Sequence, residues 1–382
     1  MQNLNNLLSM IINSLFLKLD HNKMKNSVLI IILSLFISCT SSRSRSQNTA
    51  SVTTISTDVS KASSKNAKDK IFVIDRASAY SEIITEKNLK EIVYELASDK
   101  YEGRATGEKG QKLAAQYLAD FYKNLHLDAA KGDEDYFQQV PVEYFNNKSQ
   151  NDSENVIAII RGSEKPEEYV IITAHYDHIG IKGDEIYNGA DDDASGTAAV
   201  LEIARAFKKA AIDGYGPKRS IVFLNVTGEE RGLLGSKYYT ENPIFSLENT
   251  VVNLNIDMIG RYDIKHAENP EFVYLIGSDK LSTELHELSE AANKKYTNLE
   301  LDYTYNDEND PNRFYYRSDH YNFAKNNIPI IFYFTGVHED YHRPTDTADK
   351  IRYDLLKKRT QLIFFTAWEI ANRENKLAID IK

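Results

Sequence analysis

The chain has 382 residues, one of them cysteine, with 42% hydrophobic and 27% charged residues. This excludes wholesale disorder, a disulfide framework and any cysteine-built metal cluster. The formal net charge of −10 divides unevenly: residues 1–39 carry +2 and 40–70 carry +4, which leaves −16 on 71–382. Such an acidic body argues against nucleic acid as a partner and suits a site that holds cations.

In chain order, the first feature is Met24-Lys25 followed by an apolar run from Ser27 to Ile37 and then Cys39. The run is short for a bilayer span and fits the core of a signal peptide. Its end resembles a bacterial lipobox, with Phe36 where leucine is usual. Residues 1–39 are therefore expected to be a signal region, with Met24 the better start. Cys39 is expected to be lipidated as the mature N-terminus of an exported protein. That protein would be membrane-anchored only through the lipid and would face the periplasm or cell exterior. Residues 40–70 hold nine serines and five threonines and few large apolar groups to offset ordering entropy, so they read as a flexible tether. Residues 71–382 read as a single domain.

Within that body, Leu89, Ile92, Val93 and Leu96 have helical spacing, and so do Ala114, Tyr117, Leu118, Phe121 and Leu125. A glycine-punctuated loop, 101–107, lies between them. Short β-branched runs follow at 155–160, 169–173, 220–226, 250–256, 271–276 and 328–334. They alternate with helical stretches at 197–208, 281–295 and 353–372. Near-continuous apolar strands such as Val170-Ile171-Ile172 imply burial on both faces. The expected fold class is α/β, a three-layer αβα sandwich around a mixed, mostly parallel sheet.

In such sheets, chemistry sits beyond the carboxyl ends of the strands. Ala174-His175-Tyr176-Asp177-His178 follows the second run, and Thr227-Gly228-Glu229-Glu230 follows the third. Asp257 follows the fourth, and a segment containing His338 and His342 follows the last. Asn188–Gly196, with Asp191, Asp192 and Asp193, leads into a helix. Imidazoles and carboxylates gathered at one sheet edge are a metal-site pattern, and a mixed nitrogen and oxygen set suits zinc. The alternation in His175-x-Asp177 places both side chains together, so the carboxylate is expected to fix the histidine's tautomer. Of the adjacent Glu229 and Glu230, one can bind metal while the other stays free as a base.

These segments, with Glu102–Gly107, Asn255–Met258, Ser318-Asp319-His320 and Tyr341–Thr347, resemble in order and content the co-catalytic di-zinc aminopeptidases. That peptidase family also includes glutamate carboxypeptidases and glutaminyl cyclases. The resemblance spans about residues 86–372. It implies two Zn2+, with His175 and Asp257 on one, Glu230 and His342 on the other, and Asp192 bridging. It further implies that Asp177 orients His175, that Glu229 is the general base acting on a metal-bridged water, and that the Asp192–Asp193 peptide is cis. The implied activity is removal of N-terminal residues from peptide substrates. Carboxypeptidase action or small-amide deacylation is the alternative, and glutaminyl cyclisation or a catalytically dead surface-binding relative ranks below these. His178 and His338 read as support rather than ligands. Ser318-Asp319-His320 reads as a pocket support rather than a triad, because adjacent residues do not converge, with Asp319 a candidate helix cap. The aromatic stretch 301–317 is a candidate pocket wall, equally well explained as loop packing.

Overall fold

The computed structural model describes residues 75–132 and 135–380. Every described residue belongs to one compact unit, Ile71–Lys382. The signal region, Cys39 and the tether lie outside the described residues. Among the described residues no helix is long and apolar enough to cross a membrane.

The strands are β1 (Asp128–Ala129), β2 (Phe137–Val140), β3 (Ser153–Ile160), β4 (Lys165–His175), β5 (Gly180–Lys182), β6 (Glu185–Tyr187), β7 (Arg219–Val226), β8 (Thr250–Ile256), β9 (Phe272–Ile276), β10 (Glu300–Asp302) and β11 (Ile330–Phe334). The helices are α1 (Arg76–Ser81), α2 (Glu86–Leu96), α3 (Lys109–Asn124), α4 (Gly196–Ile212), α5 (Leu234–Glu241), α6 (Thr283–Ala292), α7 (His320–Ala324) and α8 (Tyr353–Asn372). Local chemistry sets several of their ends. The side chain of Thr85 accepts the N–H of Asn88 at the start of α2, and that of Ser282 accepts the N–H of Leu285 at the start of α6, which satisfies donors the helix leaves orphaned.

The main sheet runs β1-β3-β7-β4-β8-β11-β9-β10, with β2 also paired to β3, while β5 and β6 form a separate hairpin. Its centre, β7-β4-β8-β11, is parallel throughout. Antiparallel pairs flank it at β3 with β7 and at β9 with β11. The sheet is thus mixed, with its parallel part concentrated where four carboxyl ends meet. Although β3 and β4 are neighbours in sequence, they are not neighbours in the sheet, because β7 inserts between them.

Alternating residues serve opposite faces, as the pleat requires. Val170, Ile172 and Ala174 join one large core with α2 (Leu89, Val93), α3 (Leu118), α4 (Leu201, Phe207) and α8 (Ile363, Phe364). Tyr169 and Ile171 join another with Tyr239 of α5 and Phe323 of α7. Helices therefore cover both faces, in three layers, which accounts for the near-continuous apolar strands. Burying both faces leaves the strand ends as the places where polar groups can gather.

Candidate metal centre

Register brings the strand ends level. His175, the last residue of β4, lies opposite Val226 of β7, and Ile256 of β8 lies opposite Tyr333 of β11. Residues immediately beyond these positions therefore converge. His175 Nε2 is 3.1 Å from Asp192 Oδ1 and 3.6 Å from Asp257 Oδ1. His342 Nε2 is 3.1 Å from Asp192 Oδ2 and 3.5 Å from Glu230 Oε1. The two oxygens of Asp192 thus face two different groups, one on each side. His175, Asp192 and Asp257 form one set of potential ligand atoms, and His178, Asp192 and Glu230 form another.

Each aspartate of the triplet has a separate partner set. The loop begins at Gly189, whose φ of +54° is a left-handed conformation that glycine adopts readily. The Asp192–Asp193 peptide is cis. Asp191 Oδ1 accepts the N–H of Gly260 at 2.6 Å, and Asp191 Oδ2 faces His338 Nε2 at 3.1 Å. Asp193 Oδ1 accepts the N–H of Gly196 at 2.9 Å, at the start of α4, and that of Met258 at 3.1 Å. Asp346 accepts the N–H groups of both Asp191 and Asp192. Of the three, Asp192 is the one whose oxygens face His175 and His342.

Two positioning expectations are revised. His175 Nδ1 lies 3.0 Å from the main-chain oxygen of Asp177, closer than the 3.8 Å to its carboxylate. The main-chain carbonyl therefore orients the ring. The Asp177 carboxylate instead accepts the hydroxyl of Thr106 and, at 3.2 Å, the N–H of Glu229. Asp319 does not cap α7; its carboxylate accepts the hydroxyl of Ser236. Ser318 and His320 do not form a triad with it. Ser318 donates to Asp257 Oδ2 at 2.7 Å and is held by Asn255 at 2.8 Å, while His320 Nε2 meets the carbonyl of Tyr315.

His338 supports the site through Asp191, but His178 does not fit the same description. Its buried ring faces Glu230 Oε1 at 2.9 Å, inside the second group. Of the aromatic stretch 301–317, Phe314 lines the cleft beside the carboxylates. Arg317, Phe332, Phe334, Val337 and Tyr341 line it too. Tyr305 instead packs behind, against Tyr274 and Phe314.

The electrostatics follow from crowding charge where water is scarce. Burial raises Asp192, but the facing imidazoles of His178, His175 and His342 outweigh it and hold the carboxyl well below its usual range. Burial and Asp192 raise Glu230, yet His178 and His342 bring it down to about 2. Glu229 faces no such cation excess. Desolvation pushes it well up, and Glu230 and Asp257 push further, against His175. Asp192 Oδ2, Glu230 Oε1 and both ring nitrogens of His178 are buried without a hydrogen-bond partner. Buried polar atoms are ordinarily satisfied, so oxygens and imidazole nitrogens orphaned together fit a divalent cation, and this donor set fits zinc.

Sequence reasoning assigned no role to Arg104, in the glycine-punctuated loop. Its fully buried guanidinium donates to the carbonyls of Tyr176 (2.7 Å), Leu96 (2.7 Å), Asn188 (2.6 Å) and Gly189 (2.9 Å). It joins the His175–His178 segment to the loop that carries Asp192. The only signal in the chain was an arginine between glycines, which does not reveal four carbonyls, three of them more than 70 residues away.

A model of peptidase family M28 matches residues 155–367. Aminopeptidase YwaD of Bacillus subtilis is 29% identical over 232 residues, covering 59% of this chain and 46% of that protein. A protein of Pyrenophora teres f. teres named as a probable zinc metalloprotease is 40% identical over 110 residues, covering 28% of this chain and 22% of its own. This chain thus spans less than half the length of these relatives. The crystal structure of LapB from Legionella pneumophila shares the fold, with a TM-score of 0.62 and 22% identity over 78% of this chain and 75% of that one.

Proposed function

The chain belongs to peptidase family M28, and we propose that it is a zinc-dependent exopeptidase that removes N-terminal residues from peptides. The observation that carries this reading is Asp192, whose two oxygens face His175 on one side and His342 on the other, in a cleft that Glu229 also lines. His175 and Asp257 would hold one Zn2+, Glu230 and His342 a second, and Asp192 both. Zinc bound there would supply Lewis acidity to the scissile carbonyl and to a nearby water.

The protein's own groups do the rest. The Asp177 carbonyl fixes the His175 ring, and Ser318 fixes Asp257. Asp177 also holds the main chain of Glu229, so the base and the first histidine are set by one residue. Glu229 takes a proton from the attacking water and returns it to the leaving amine nitrogen as the C–N bond breaks. The cleft walls, Phe314, Phe332, Phe334 and Tyr341, exclude water and accept an apolar side chain. Relatives named as an aminopeptidase and a zinc metalloprotease support the same chemistry.

The full chain is expected to cleave aminoacyl amides with a free α-amine, to lose this activity on chelation and to regain it with zinc. Equal cleavage of N-acetylated substrates would shift the reading to deacylation or carboxypeptidase action, and no cleavage of any amide by the zinc-loaded chain would end it. The apolar run before Cys39 supports an exported, lipid-anchored enzyme. Cys39→Ser is expected to move it from the membrane to the soluble fraction; an unchanged distribution would remove the lipid anchor from the proposal.

A further inference from the structure

We propose that His178 is itself a metal ligand, so that the two cation positions are chemically unequal; this rests on the metal-binding part of the reading above, not on its peptidase part. His178 lies three residues past the end of β4. Its main-chain N–H is bonded to the carbonyl of Arg104 at 3.0 Å, and the ring is fully buried. It is wedged against Gly189, where even a β-carbon would fall 2.5 Å from His178 Cγ. Gly189 thus closes one side of the ring.

Its Nδ1 is 2.9 Å from Glu230 Oε1 and 3.7 Å from Asp192 Oδ2. His342 Nε2 is 3.5 Å and 3.1 Å from the same two oxygens. These separations straddle about 3.3 Å, the edge of a tetrahedron built on zinc bonds of about 2.0–2.1 Å. Despite the proximity, none of His178 Nδ1, Glu230 Oε1 and Asp192 Oδ2 has a partner in hydrogen-bond geometry, and the three residues group closely enough to share one cation. His338 provides the contrast: its Nε2 is hydrogen-bonded to Asp191, and its Nδ1 accepts the N–H of Asp340. That is how a supporting histidine is satisfied.

With His178 counted, one position has a single imidazole and two carboxylates: His175, Asp192 and Asp257. The other has two imidazoles and two carboxylates: His178, His342, Asp192 and Glu230. Four protein ligands resemble a closed, structural zinc site, and three leave a position open. Imidazole also favours zinc over magnesium or manganese. The second position therefore retains its ion, and exchange and substrate contact belong to the first.

The test is a Co2+ titration of the chelator-stripped full chain, followed by proton NMR of hyperfine-shifted imidazole N–H signals. Three such signals are expected at saturation with two cobalt ions. His178→Gln should remove one and weaken the tighter binding step about tenfold or more. Two signals from the wild type with two cobalt bound would overturn the proposal, as would a variant with the wild-type signals and affinity. The wild-type count decides the matter even if the variant fails to fold. A chain that binds two cobalt ions through three imidazoles yet cleaves no peptide would sink the peptidase and leave this inference standing. A chain that binds no cobalt would sink both.

Discussion

Glu229→Gln is expected to lower kcat about a thousandfold, within the span typical of losing a general acid–base group, with metal content unchanged. Glutamine keeps the side-chain volume, and the main-chain N–H that bonds to Asp177 is untouched. What disappears is the capacity to accept a proton. Glu229 is the carboxylate of the centre that is least compensated by imidazole: its neighbours Glu230 and Asp192 face His178 and His342, whereas burial pushes Glu229 itself upward. A group that is not committed to a cation is free to shuttle a proton. Steady-state kinetics with parallel metal analysis of the variant decides the matter. A kcat within about tenfold of wild type would remove Glu229 from the role, and loss of metal together with activity would make it a ligand instead.

The second large effect is expected at Arg104, whose guanidinium touches no proposed metal ligand. Arg104→Met preserves much of the volume but strands the carbonyls of Tyr176, Leu96, Asn188 and Gly189. Each buried acceptor left without a donor costs about 1–3 kcal/mol, and partial relaxation brings the expected loss to about 4 kcal/mol. Urea unfolding of the metal-free protein measures it directly. The change should also weaken cobalt binding, because Asn188 and Gly189 lead into Asp192 while Tyr176 lies between His175 and Asp177. Burial alone lowers the pKa of this guanidinium, and Asp192, Asp177 and Asp193 act to keep it charged. Arginine thus links the carboxylates' field to the geometry of their backbone. A stability loss below about 1 kcal/mol would show that the carbonyls find other donors.

Much of this architecture was legible because burial on both sheet faces leaves a strong mark. The runs at 155–160, 169–173, 220–226 and 250–256 all became strands, since an apolar segment without alternation has few other ways to hide. Short edge elements such as β1 and β10, and the helices α5 and α7, left no comparable mark. Two- to eight-residue elements are too brief for a periodicity to stand out. The pairing of β3 with β7 rather than β4 was also hidden, because pairing depends on contacts between distant segments.

The sequence by itself determined which polar residues gather at the sheet edge. A charged or imidazole side chain directly after a buried strand has nowhere to go but the sheet edge, and that placed His175, Glu229, Glu230 and Asp257 at one site before any coordinates. Only the tertiary structure decided what each of them faces. It gave the orientation of His175 to a main-chain oxygen, drew His178 in among the carboxylates and made Arg104 the link beneath them. Those outcomes depend on differences of under an ångström, as in 3.0 Å against 3.8 Å at His175, between groups 2 to 85 residues apart. Hydrogen bonding and metal ligation are steep functions of distance and direction, and linear order constrains neither.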